Sequence, residues 1–142
     1  MPKQNEKHFF GTVNQKALIR KNGQVLLQRF PDLDKNLKGK WDMPGGRLNA
    51  GESPEEGLKR EVREEIGAEI EVYSVAATGV YTNFGGVTNF FIIYYAGLKN
   101  EKSAFVMQKE EVAEIKWVYE KDLFEMPIVF PEYKEALRKV LG

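Results

Sequence analysis

Glu61, Glu64 and Glu65 place three carboxylates within five consecutive positions. On an α-helix, residues i, i+3 and i+4 share one face, so all three would project together. Glu61 and Glu65 are a like-charge i, i+4 pair, which weakens a helix by a few tenths of a kcal/mol. A chain selected for stability alone would carry lysine at one of these positions. Hard divalent cations such as Mg²⁺ and Mn²⁺ take oxygen ligands and would turn the repulsion into attraction. The competing reading is a solvated acidic helix face, which is what an isolated Glu-x-x-Glu-Glu usually is. Arg60 at the same helical face pairs by spacing with Glu56, as ordinary surface residues do.

The carboxylates need a rigid helix, and the sequence writes one from Ser53 to Ile66. Ser53 suits the N-cap, Pro54 the first turn, and Glu56 completes a capping box. Leu58, Val62 and Ile66 recur every four residues as an apolar stripe, and Gly67 can take the left-handed conformation that ends a helix. Upstream, Thr12 to Phe30 reads as a hairpin about Asn22-Gly23, a dipeptide suited to the positive φ angles of a tight turn. A polar loop from Pro31 to Lys40 follows, then the Trp41-Asp-Met-Pro-Gly-Gly46 punctuation. Ile70 to Val80 and Glu114 to Val118 read as strands, and Phe90 to Ala96 as a central strand covered on both faces. A last amphipathic helix opens near Pro131, with Tyr133, Ala136, Leu137, Val140 and Leu141 on one face. Two helices so far apart in sequence fit opposite faces of one mixed sheet, in a single α/β domain over residues 1–142.

The 142 residues include 21 basic and 21 acidic side chains, so no global field advertises a nucleic-acid polymer as partner. Any anionic ligand must be held by local groups or by metal ions. The absence of cysteine excludes disulfides and thiolate chemistry, and one histidine, His8, argues against a Ser-His-Asp triad or a multi-histidine zinc site. The start is polar, and no stretch approaches the roughly 20 apolar residues of a membrane span. A cytoplasmic location, no membrane partner and a monomer or homodimer are the expectations.

The segment from Gly46 to Ala68 resembles the Nudix box. Gly46, Glu52, Arg60, Glu61, Glu64, Glu65 and Gly67 all match its fixed positions, and Val62 suits its first aliphatic one. At roughly 0.06 per position, seven chance matches come to on the order of 10⁻⁹ per start site, which decides for the box against a coincidental acidic face. The resemblance implies a loop–helix–loop on a Nudix-type α/β/α sandwich and a cofactor of Mg²⁺, with Mn²⁺ as substitute. It implies Glu61 and Glu65 as principal metal ligands, Glu64 beside them, and the Gly45 carbonyl as another. Arg60 would orient the carboxylates, Glu52 would stabilise the loop or bind metal through water, and Gly46 and Gly67 are structural. The chemistry implied is in-line attack of water on phosphorus.

A general base commonly lies outside the box in this family. Here Glu111, six residues before Trp117, is the candidate, with Glu110 and Glu114 as rivals and a solvated acidic loop as the alternative. Arg47 could reach a phosphate or be surface, and Trp41, Tyr81 and Phe84 could stack on a base or be core. No proline lies between Pro54 and Pro127, unlike the ADP-ribose pyrophosphatases, and coenzyme A and NADH pyrophosphatase marks are missing. A (deoxy)nucleoside triphosphate, possibly oxidised, is therefore the expected substrate, cut to monophosphate and pyrophosphate. ADP-ribose, a nucleotide sugar or a dinucleoside polyphosphate is the alternative. A non-catalytic nucleotide sensor, or an isoprenoid diphosphate isomerase, is the reading from another class. Sensors often lose box glutamates, and the isomerases rely on a cysteine that this chain does not have.

Overall fold

The computed structural model describes residues 7–141; the polar start at residues 1–6 and Gly142 lie outside them. Strand β1 (Thr12–Lys21) turns at Asn22 and Gly23, whose φ angles are 52° and 75°, into the antiparallel β2 (Gln24–Arg29). Within the segment read as punctuation, two short strands form: β3 (Trp41–Asp42) beside β2, and β4 (Gly45–Arg47) beside β1. Helix α1 (Pro54–Ile66) leads to β5 (Ile70–Thr82) and β6 (Thr88–Leu98), an antiparallel pair. Strand β7 (Glu114–Tyr119) pairs with β2, and α2 (Glu120–Leu123) and α3 (Pro131–Leu141) complete the chain.

The sheet runs β3-β2-β1-β6-β5, with β4 and β7 attached to β1 and β2. Strands β1 and β6 pair in parallel, which requires a long crossover, and the connection carries α1. Alternation along the strands divides the core in two. Ala17, Ile19, Leu26 and Ala96 pack with Leu58, Val62 and Ile66 of α1. Leu18, Val25, Leu27, Phe91 and Ile93 pack with Tyr133, Ala136 and Leu137 of α3. The architecture is thus the expected mixed-sheet α/β/α sandwich. Burying one such side chain completely stabilises by about 1.5–3 kcal/mol, so the α1 stripe alone anchors the helix firmly. Strand β6 lies between β1 and β5, central as expected and longer than its apolar run at both ends. Among the described residues, no helix is long and apolar enough to cross a membrane.

Candidate active site

Three pieces of chain are locked to α1. At its N-terminus the Ser53 hydroxyl accepts the Glu56 N–H at 3.3 Å, and Gly67 ends the helix at φ 67°. At its C-terminus the loop before β7 satisfies carbonyls the helix cannot: Val106 N–H donates to Ile66 O and Gln108 N–H to Glu65 O. That second contact carries Glu110 and Glu111 to the side of the box glutamates. The third piece is β4, held to β1 in a register that sets Gly45 opposite Lys16. Gly45 has φ 130°, and a Cβ there would lie 2.1 Å from the Gln15 carbonyl oxygen, so only glycine fits.

Arg60 organises the acidic side chains. Its Nε and Nη2 donate to both Glu52 oxygens at 2.9 and 2.7 Å, and Nη1 donates to Glu61 and Glu64 at 3.1 Å each. Nη2 also reaches the Arg47 carbonyl at 3.3 Å. The Arg60 bonds, reinforced by the Asn49 N–H, hold the Glu52 carboxyl down at about 2, and Glu52 in turn raises the Arg60 guanidinium. The surface i, i+4 pair expected between Glu56 and Arg60 is not the one formed. Arg60 turns into the loop, where Glu52 offers a two-oxygen partner, and the surface pair is Glu55–Lys59 at 3.2 Å.

Glu65 is 8% exposed and accepts the Gly45 N–H at 2.8 Å. Burial pushes its carboxyl up to about 8, although Lys16 and the Gly45 N–H pull the other way. Burial also raises Glu61, against the pull of Arg60. Glu64 is more than half exposed. As the side chains lie, no three carboxylates or histidines among the described residues converge on one metal position. Arg60 draws Glu61 and Glu64 toward the loop while Gly45 holds Glu65. A Cβ on Gly46 would sit 2.5 Å from Glu61 Oε2, so this glycine leaves the space that the carboxylate fills. Gly46→Ala should therefore displace the end of a flexible side chain rather than backbone. The expected result is a melting temperature changed by a few degrees at most and kcat reduced at least tenfold, read by calorimetry and steady-state assay.

Two depressions meet at Glu65. One, of about 330 Å³, is lined by Glu61, Glu65, Glu110 and Glu111 together with Pro31, Leu33 and Leu37. The second, of about 380 Å³, includes Lys16, Asp42, Arg47, Tyr81, Phe84 and Phe130. Phe30, Asp34, Leu37 and Glu65 line both. The structure therefore brings Glu111 and Glu110 to the box glutamates, and leaves Glu114 paired with Arg29 at 3.1 Å. Trp41 is core, whereas Phe84 is exposed and stacks on Phe130 at 5.6 Å, with Phe130 stacked on Tyr81 at 4.0 Å.

Sequence reasoning missed Lys16 and Asp42. Both are buried, and Lys16 Nζ donates to Asp42 Oδ2 at 2.8 Å and to the Gly45 carbonyl at 3.0 Å. Burial opposes the ammonium, but the Asp42 and Glu65 carboxylates outweigh it and hold Lys16 above its ordinary value. The available signal was parity: Lys16 shares a strand face with Leu18, so a charge falls on a core-facing position.

A family model described as the NUDIX domain matches residues 15–140. The nucleoside triphosphatase NudI of Enterobacter sp. (strain 638) is 31% identical over 113 residues, 75% of this chain and 80% of that protein. A MutT-like protein of Streptomyces ambofaciens is 42% identical over 67 residues, 47% of this chain; the match spans 39% of that protein's length. Among solved structures, the MutT protein from Methanosarcina mazei Go1 superposes with a TM-score of 0.78 at 25% identity, covering 91% of each chain. Family model, relatives and fold agree with the box on α1: the chain belongs to the Nudix hydrolase family.

Proposed function

We propose that this protein hydrolyses a diphosphate linkage in a nucleotide with Mg²⁺, or Mn²⁺ in its place. The substrate we infer is a (deoxy)nucleoside triphosphate, released as monophosphate and pyrophosphate. The observation that carries the reading is the depression shared by Glu61, Glu65, Glu110 and Glu111. All four residues line it, and the nearby guanidinium, Arg60, is already bonded twice to Glu52. An all-oxygen, net negative donor set of this kind fits a hard divalent cation. The NudI relative, named a nucleoside triphosphatase, supports the substrate class.

In this reading Glu61 and Glu65, with Glu64 beside them, hold the metal, and Arg60 fixes how Glu61 and Glu64 are presented. The bound ion would neutralise charge on the phosphoryl oxygens and the leaving group. Glu111 takes the proton of the attacking water as its oxygen bonds to phosphorus and the bridging P–O bond breaks. The leaving group departs with that bond's electron pair: pyrophosphate for attack at the α phosphorus, the monophosphate for attack at the β phosphorus. Arg47, exposed at the rim of the second cleft, meets a phosphate, and the Phe84–Phe130 stack receives the base.

Turnover in a screen of nucleoside triphosphates, dinucleoside polyphosphates and nucleotide sugars should vanish with chelator and return with Mg²⁺ or Mn²⁺. Full activity in excess EDTA would sink the reading, and a strong preference for ADP-ribose would refute the substrate class. The base is separable too. Glu111→Gln should lower kcat strongly and flatten the acid limb of the pH–rate profile, and Glu110→Gln should do neither. A silent Glu111→Gln would move the base elsewhere.

A further inference from the structure

The Gly45 carbonyl is the backbone ligand that the box resemblance assigns to metal, yet here a cation of the chain already occupies it. Lys16 Nζ lies 3.0 Å from Gly45 O and 2.8 Å from Asp42 Oδ2. The second Asp42 oxygen is also spent, accepting the Met43 N–H at 2.8 Å. Lys16 and Asp42 are 5% and 4% exposed, so nearly all of each side chain is packed away from water. Removing one partner would strand the other as a buried unpaired charge, which is strongly destabilising. The strands fix the backbone on both sides: Lys16 stands opposite Gly45 in the β1–β4 register, and Asp42 stands on β3 opposite Gln28.

A divalent ion bound to the same carbonyl would sit about 2.0–2.6 Å from its oxygen. It would then lie within a few ångströms of the Lys16 ammonium, and two cations that close repel. The carbonyl can serve one of them. Because Asp42 anchors Lys16, the ammonium keeps it.

We propose that Lys16 is a resident cation of this site, a positioning residue that holds the Gly45 carbonyl and excludes a divalent ion from it. The inference rests on the metal-dependent reading above and refines it: metal is confined to the carboxylates of α1 and the Glu110–Glu111 loop. Lys16 holds the carbonyl of Gly45, the residue whose own N–H holds Glu65, so one ammonium helps to set the place of a ligand through a single residue of backbone.

The direct test is a crystal of the wild-type protein soaked in Mn²⁺, with the ions located by anomalous scattering. The expected result is Mn²⁺ on Glu61 or Glu65, Lys16 still on Gly45 O, and no ion within 3 Å of that oxygen. An ion on the Gly45 carbonyl overturns the inference and leaves the metal-dependent reading standing. No ion on the α1 carboxylates overturns that reading, and this inference with it. A solution test uses the double variant Lys16→Met with Asp42→Asn, which removes both charges of the pair. Titrated with Mn²⁺ by electron paramagnetic resonance, it should bind one further ion per chain or bind at least tenfold more tightly than wild type. Asp42→Asn alone, titrated at a temperature where its circular dichroism shows it folded, keeps the ammonium on the Gly45 carbonyl and should show no gain. Equal binding by the folded double variant and wild type, or an equal gain in Asp42→Asn, overturns the inference.

Discussion

Glu61→Gln and Glu65→Gln should each reduce kcat by on the order of 10²-fold or more while the protein stays folded. Glutamine keeps the shape and the acceptor oxygen that Glu65 offers to the Gly45 N–H, and removes only the charge. Glu56→Gln is the control, because Glu56 lies outside the carboxylate-lined depression and its contact with the cap runs through its backbone N–H. Circular dichroism melts should accompany the kinetics. Equal losses of activity at all three positions would trace the effect to stability instead of ligation. Burial raises both carboxylates, and both residues line the depression.

The second large effect is on stability, and Glu65 sets its sign. In the unfolded chain its carboxyl ionises near its ordinary value of 4.5, and in the folded protein it keeps its proton up to about 8. Below pH 4.5 the proton is bound in both states and the group contributes no difference. Between 4.5 and 8 only the unfolded state has lost it, so stability falls as pH rises, by up to about 1.4 kcal/mol per unit. Above 8 the penalty is complete. A divalent cation that binds the ionised carboxylate only in the folded state reverses this. Thermal melts in EDTA should therefore show a protein less stable at pH 8 than at pH 5.5. Saturating Mg²⁺ should raise the melting temperature far more at the higher pH. Glu65→Gln should remove most of both differences and make the metal-free protein more stable at pH 8. Metal-free stability that is flat with pH, with the same metal effect at both values, would contradict the placement of Glu65.

Much of this was legible in the residues because local chemistry and tertiary structure agree. Asn22-Gly23 supplies the two positive φ angles of the β1–β2 turn, and Ser53, Pro54 and Gly67 bracket α1 where it begins and ends. Leu58, Val62 and Ile66 are fully buried, as their four-residue period requires. What escaped depends on contacts distant in sequence. Strands β3 and β4 are too short for a pattern and exist because β2 and β1 pair with them. The partner of Arg60 was misread because helical spacing sees Glu56, whereas Glu52 approaches from the loop with two oxygens. The Lys16–Asp42 pair spans 26 positions, and neither residue signals the other. Glu111 was chosen over Glu110 and Glu114 by its distance from Trp117. The fold sets Glu114 aside through Arg29 and leaves both neighbours at the site.

The reaction proposed is cleavage of a nucleoside triphosphate to monophosphate and pyrophosphate under divalent metal. A divalent ion held by the α1 carboxylates would neutralise the oxygens of a diphosphate, and water entering from the Glu111 side would leave pyrophosphate as one unit. The measurement that meets this most directly is ³¹P nuclear magnetic resonance of the products from a panel of nucleoside triphosphates with Mg²⁺, repeated in ¹⁸O-labelled water. Expected are nucleoside monophosphate and pyrophosphate in equal amounts, the label on one of them, and no reaction once the metal is chelated. Nucleoside diphosphate with inorganic phosphate, or the same products at the same rate in excess EDTA, would contradict it.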